Sequence, residues 1–209
     1  MDIRDKIMQQ QFPLVPVPAF SEFRSLQSNG QRLLTAKNGV FLEVKHPCFY
    51  VRKPVARLPF ETPFGLLEEA VEAIPVPVKM IQQFKEHAQS QLPNEAAGRI
   101  VYIQDQDAWR LDVYTPKSVG ISHVSYDIPA LQVGDSLGVD IHSHGYFAPM
   151  FSKQDDLDDS LETKLAVVIS FNKGNSGVEL AARLCLRGIF IPLALQSLQD
   201  AIHFKEAKV

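Results

Sequence analysis

The chain has 209 residues, a formal net charge of −3, 45% hydrophobic and 22% charged residues. That length suits one large domain or a domain with an appendage. The balance is that of an ordinary globular protein, gives no reason to expect a nucleic-acid partner, and includes no run near the ~20 apolar residues of a membrane span.

The N-terminus, MDIRDKIMQQQ, is charged and polar, with no apolar run of the kind a signal peptide carries. Cys48 and Cys185 stand alone without CxxC spacing, which predicts two reduced, buried thiols and a cytoplasmic protein. Three prolines between Phe12 and Phe20 predict an extended segment, either an arm or a packed lead-in to the body. Residues 31–57 read as a β-hairpin or small meander, with turns at Asn38-Gly39 and His46-Pro47. His46 and Cys48 have no nearby residues that would complete a metal site, so both read as structural. Thr62 and Pro63 suggest the start of a short helix over 62–74, which Pro75 and Pro77 would end. The expected division is an N-terminal β-rich extension, 1–75, and a main domain, 76–209.

In the main domain, Val78, Ile81, Phe84, Ala88 and Leu92 form one apolar stripe, predicting a helix over 77–92. Pro93 stops it, and a strand follows from Glu95 to Ile103, then a polar turn at 104–107 and a half-buried strand over 108–114. Residues 115–135, punctuated by Pro116, Gly120, Pro129 and Gly134, read as irregular; His123 falls there and reads first as a solvated loop histidine. A strand from Leu137 delivers His142 and His144. Ser152 opens a helix expected to reach about Lys164, Leu165–Phe171 is a buried central strand, residues 180–187 alternate as another, and 194–206 read as a helix. Together these predict an α/β fold, a mixed sheet flanked by helices.

The chemistry concentrates between Asp140 and Asp159. His142 and His144 are two apart, so on a strand both imidazoles face one side. Asp155 could add an oxygen ligand from the following helix, and three protein ligands with one open position is the pattern of a catalytic zinc site. Each part alone has a plainer reading: a histidine pair as surface or core, and Ser152 with Asp155 as a capping box. The complete spacing H-x-H-x7-S-x-x-D arises by chance in roughly one chain in a few thousand of this length. Asp140 shares the histidines' face, either orienting an imidazole or standing as a strand-edge carboxylate.

This spacing resembles the motif of the JAB/MPN (JAMM) zinc metalloproteases, over roughly residues 76–190. The resemblance implies a JAB/MPN-like fold, related to that of the cytidine deaminases, with Zn²⁺ held by His142, His144 and Asp155. It also implies a glutamate at the start of an upstream strand, a position that Glu95 fills, acting as general acid/base. Ser152 would donate to the developing oxyanion. The implied reaction is hydrolysis of a peptide or isopeptide bond after the tail of a ubiquitin-like protein, and the segment 115–135 becomes a candidate substrate loop. One departure is Gly145, where the family usually has proline after the second histidine. The N-terminal extension is similar to that of the JAB-domain proteins of the bacterial PRTRC mobile-element system.

Three other readings are weighed against this. Some MPN domains have lost their ligands and serve as non-enzymatic scaffolds, whereas here every ligand position is filled. A zinc nucleobase deaminase needs His-x-Glu and Pro-Cys-x-x-Cys, and this sequence has neither. A DNA-associated JAB-type protein is disfavoured by the acidic balance.

Overall fold

The structure is a computed structural model that describes residues 1–73, 75–119, 124–173, 177–194 and 205–206. The chain divides into two compact units, Met1–Ile74 and Pro75–Val209.

The first unit begins with a helix, α1 (Ile3–Gln11), which the sequence reading did not anticipate; Asp2 caps it, accepting the Arg4 backbone N–H at 2.8 Å. A five-stranded sheet follows in the order β1 (Leu14–Pro16), β2 (Gly30–Ala36), β3 (Gly39–His46), β4 (Phe49–Ala56) and β5 (Ala70–Ala73). The proline-rich segment packs: β1 runs parallel to β2, and Val17 is buried with Leu34, Ala36, Phe41 and Leu67. The expected meander is present as β2–β4, with its first turn shifted by one residue. Ala36 pairs with Gly39, so Lys37 and Asn38 make the turn. Gly39 opens β3 at φ +138, where a Cβ would lie 2.6 Å from the Ala56 carbonyl oxygen.

The helix expected over 62–74 does not form. Its backbone groups are taken by neighbouring strands instead: Lys37 N–H donates to Gly65 O at 2.9 Å and Gly65 N–H to Val17 O at 3.1 Å. Thr62 Oγ1 donates to Ala36 O at 2.8 Å rather than capping a helix, and 70–73 is strand β5.

Two polar side chains in this unit are drawn into the fold. Glu43 is wholly buried and accepts from Tyr50 O–H (2.7 Å), Leu26 N–H (3.0 Å) and Arg32 Nε (2.5 Å). His46 Nδ1 accepts the Cys48 N–H at 3.2 Å, and its ring stacks on Phe49 at 4.5 Å. Burial pulls His46 down to about 4 and pushes the Cys48 thiol up to about 12. Cys48 and Cys185 are both free and buried.

The second unit is a mixed α/β fold. In chain order it has α2 (Val78–Gln91), β6 (Ala97–Ile103), a 3₁₀ turn (Gln104–Gln106), β7 (Ala108–Val113), β8 (Thr115–Val119), β9 (Val124–Asp127) and β10 (Asp135–Ser143). Then come α3 (Lys153–Asp159), β11 (Thr163–Phe171), β12 (Val178–Leu186), β13 (Ile189–Ala194) and β14 (Lys205–Glu206). Seven strands form one sheet in the order β14-β13-β12-β11-β10-β6-β7. Its only parallel neighbours among the described strands are β10 and β11, and α3 lies in the crossover between them. Ile81, Phe84 and Ala88 of α2 are buried as the stripe predicted, as are Ile100, Val139, Ile141 and nearly all of β11.

Three expectations for this unit need correction. Residues 115–135 are not irregular throughout, because β8 and β9 pair as a hairpin, with Pro116 beside a register shift where a missing N–H is tolerated. The helix after Ser152 ends at Asp159 rather than Lys164, because Lys164 pairs with Cys185 in the β11–β12 ladder. Ile189–Ala194 is a strand, and Leu193 and Ala194 pair with Glu206 and Lys205, so both ends of the helix expected over 194–206 are extended. Residues 195–204 and His123 lie outside the described residues. No helix among the described residues is long and apolar enough to cross a membrane.

Candidate metal centre

The site is built on β10. A register shift between Leu137 and Val139 resets the alternation, so that Val139, Ile141 and Ser143 are buried on one face. Asp140, His142 and His144 project from the other, half-buried. The carboxyl end of β10 is held on both sides. His144 N–H donates to Ile169 O of β11 at 3.0 Å, and Ser143 N–H donates to Ala96 O at 2.8 Å. Ser143 Oγ accepts the Ala96 N–H at 2.9 Å.

The loop after His144 turns at once. Gly145 is buried at φ +56, outside the reach of proline with its φ near −65°. Its carbonyl accepts the Phe171 N–H at 2.8 Å. The glycine thus makes a left-handed turn pinned to β11, which the proline that the resemblance implies at this position could not make. Tyr146, Phe147 and Met150 are exposed on this loop, whereas the Phe151 ring covers Arg183 at 3.9 Å.

Ser152 then caps α3. Its Oγ accepts the Asp155 N–H at 3.2 Å, and Asp155 Oδ2 accepts the Ser152 N–H at 2.6 Å, a complete capping box. The box uses one carboxylate oxygen and turns the other, Oδ1, towards His142 Nε2 at 3.5 Å. His142 Nε2 and His144 Nε2 are 3.1 Å apart. His142, His144 and Asp155 therefore each offer a ligand atom, all within 4.8 Å of one another. A tetrahedral zinc with bonds of about 2.0–2.1 Å has ligand–ligand edges of about 3.3 Å, which the 3.1 and 3.5 Å separations bracket. The His144 Nδ1 faces the Ala148 carbonyl at 3.4 Å, and the tautomer that donates there leaves the Nε2 lone pair for a metal. Burial pulls His142 below its ordinary value against the charge of Asp155, which favours the neutral imidazole that metal binding requires. Two nitrogens and one carboxylate oxygen are a donor set that fits zinc.

Glu95 lies two residues ahead of β6 and is exposed. The Ser143–Ala96 bonds bring it beside β10, and its charge acts on His142. Its carbonyl oxygen accepts Tyr126 O–H at 3.1 Å, which ties it to the β8–β9 hairpin. Ser152 is exposed at the mouth of α3; its oxygen accepts in the cap, which leaves the hydroxyl proton to donate.

Asp140 does not orient an imidazole. Its carboxylate goes to Lys164 Nζ at 2.5 Å. The second acidic grouping, Asp140, Asp159 and Glu162, surrounds that ammonium. Lys164, Arg183 and Tyr126 have no assigned role in the site at the sequence level. A lysine expected inside a helix, an arginine on an alternating strand and a tyrosine in an irregular segment carry no local signal of their partners.

Residues 77–183, just over half the chain, match the prokaryotic homologs of the JAB domain. Residues 2–73 match a domain of unknown function, DUF2016. No curated protein and no solved structure matches the chain.

Proposed function

Because the chain belongs to the prokaryotic homologs of the JAB domain, we propose that it is a zinc-dependent metallopeptidase or isopeptidase. The observation that carries this reading is the convergence of His142 Nε2, His144 Nε2 and Asp155 Oδ1 on one small volume.

His142, His144 and Asp155 hold the ion. When bound, zinc supplies a Lewis acid that makes water nucleophilic near neutral pH. Glu95 takes the proton of the attacking water and passes it to the leaving amine, which keeps the proton inventory constant over the cycle. Ser152 Oγ–H donates to the carbonyl oxygen as negative charge develops there. The capping box locks Asp155 and Ser152 together, so ligand and oxyanion donor keep a fixed spacing. The substrate is an amide after the tail of a ubiquitin-like protein, with the β8–β9 segment, tied to Glu95 by Tyr126, as its contact. The resemblance of the N-terminal extension to that of PRTRC-system proteins is what supports a role in a bacterial mobile element.

The test is the metal content of purified, tag-free protein beside the Asp155→Ala and His144→Ala variants. About one zinc per chain is expected in the wild type, the count for a single catalytic site, with none in either variant. No zinc after the metal is added back, or full stoichiometry in His144→Ala, overturns the ligand assignment and leaves Ser152 and Asp155 as a helix cap on a non-enzymatic scaffold.

A further inference from the structure

A second charged cluster lies behind the ligands, and the proposed reaction makes no direct use of it. The Lys164 side chain, on β11, is only 4% exposed. Its ammonium is shared by Asp140 at 2.5 Å, Asp159 at 2.8 Å and Glu162. Asp159 in turn accepts Arg183 at 2.7 Å and the Cys185 thiol at 3.4 Å. Arg183 also pairs with Asp156, and its guanidinium lies between the Phe151 and Phe190 rings at 3.9 and 4.0 Å. The ammonium leaves no room for reading the three carboxylates as a second cation site.

The origins of these carboxylates matter. Asp140 belongs to β10, two residues before His142. Asp156 and Asp159 belong to α3, whose first turn holds Asp155. Glu162 follows α3 on a stretch with no candidate ligand. The candidate ligand set is divided between the same two elements, β10 and α3, that Lys164 joins.

We propose that Lys164 is a positioning residue, a buried brace that holds α3 against β10 where Asp155 meets His142 and His144; this rests on the zinc reading above. A shift of α3 along β10 would break charge-assisted bonds to an ammonium that is almost wholly buried. Buried ion clusters of this kind contribute more to a specific arrangement than to net stability. Burial alone would push the ammonium down, but Asp140, Asp159 and Glu162 outweigh it and keep Lys164 charged. Burial would likewise push Asp159 up, yet Lys164 and Arg183 hold it below the usual carboxylate range.

The test compares Asp140→Asn with Glu162→Gln. Each removes one charge from the same ammonium, but only Asp140 sits on a ligand-bearing strand. Both side chains are partly exposed, at 32% and 49%, and both changes conserve shape, so the fold should survive. Zinc affinity, read by competition with a chromogenic chelator, should weaken about tenfold in Asp140→Asn, the scale of an outer-shell loss, and stay within about twofold in Glu162→Gln. In the metal-free protein, hydrogen exchange of the α3 amides should quicken in Asp140→Asn alone. Equal losses in both variants would reduce the effect to bulk charge and overturn the brace. Unchanged affinity and exchange in Asp140→Asn would overturn it as well. If the wild type binds no zinc, the zinc reading falls by itself, and α3 exchange still decides whether Lys164 braces the helix.

Discussion

Glu43 in the first unit and Asp155 in the second are both carboxylates that accept a backbone N–H and face a basic side chain. Glu43 is wholly buried, and both its oxygens are spent, on Tyr50 and Leu26 for one and on Arg32 for the other. Asp155 is half-buried; one oxygen closes the capping box, and the other stops 3.5 Å from His142, beyond a good hydrogen bond. The histidines divide the same way. His46 is satisfied by its own turn and a stacked ring, whereas His142 and His144 turn their Nε2 atoms on each other. Saturated groups hold a fold together, and groups left partly unsatisfied and aimed at a common point are the ones able to take a ligand.

The sharpest separation is expected from Glu95→Gln. It should lower kcat by about 10³-fold on a fluorogenic amide carrying a ubiquitin-like tail, with zinc content unchanged. Retained hydrolysis would take Glu95 out of the chemistry and leave the open side of the site without its base. Next comes Glu43→Ala, which strands the Arg32 guanidinium and the Tyr50 hydroxyl. A loss of about 3 kcal/mol is expected in urea unfolding, with zinc affinity unaltered. If zinc affinity fell in step, the two kinds of carboxylate would not be independent.

The smallest effect concerns pH. His46 is depressed to about 4 in the folded chain, against about 6.5 unfolded. Between those values the unfolded state binds more protons, so the contribution is present above about 6.5 and is lost as pH falls towards 4. The His46 share of the slope should be roughly 1 kcal/mol per pH unit and should be lost in His46→Phe, whose ring can still stack on Phe49, while the share of His142, also pulled down by burial, remains. The difference in urea midpoints between metal-free wild type and His46→Phe across that window reads it, and no change in that difference with pH would show that His46 is not held neutral by the fold.

What is legible in the sequence follows the range of the interaction. The α2 stripe, the β2–β4 meander and the face shared by Asp140, His142 and His144 obey local periodicity, and the structure has them. Ser152 and Asp155 are three apart, so their cap is also a local matter. The misreadings are set by distant partners. Residues 62–69 are claimed by Val17, Ala36 and Lys37, and Lys164 is drawn from an expected helix into a ladder with Cys185. The pairing of 115–119 with 124–127 hid behind Pro116, which sits at an irregular pair. The route of Asp140 to Lys164 instead of an imidazole needed three-dimensional neighbours.

The parallel pairing of β10 with β11 has a consequence for how the site is assembled. Its crossover keeps all three candidate ligands on one short stretch of chain, from His142 to Asp155. The loop-closure entropy of gathering them is that of a short loop. Glu95 comes from far upstream and is brought alongside by the antiparallel docking of β6 on β10. The candidate ligands are thus gathered by contacts of short range and the proposed base by contacts of long range.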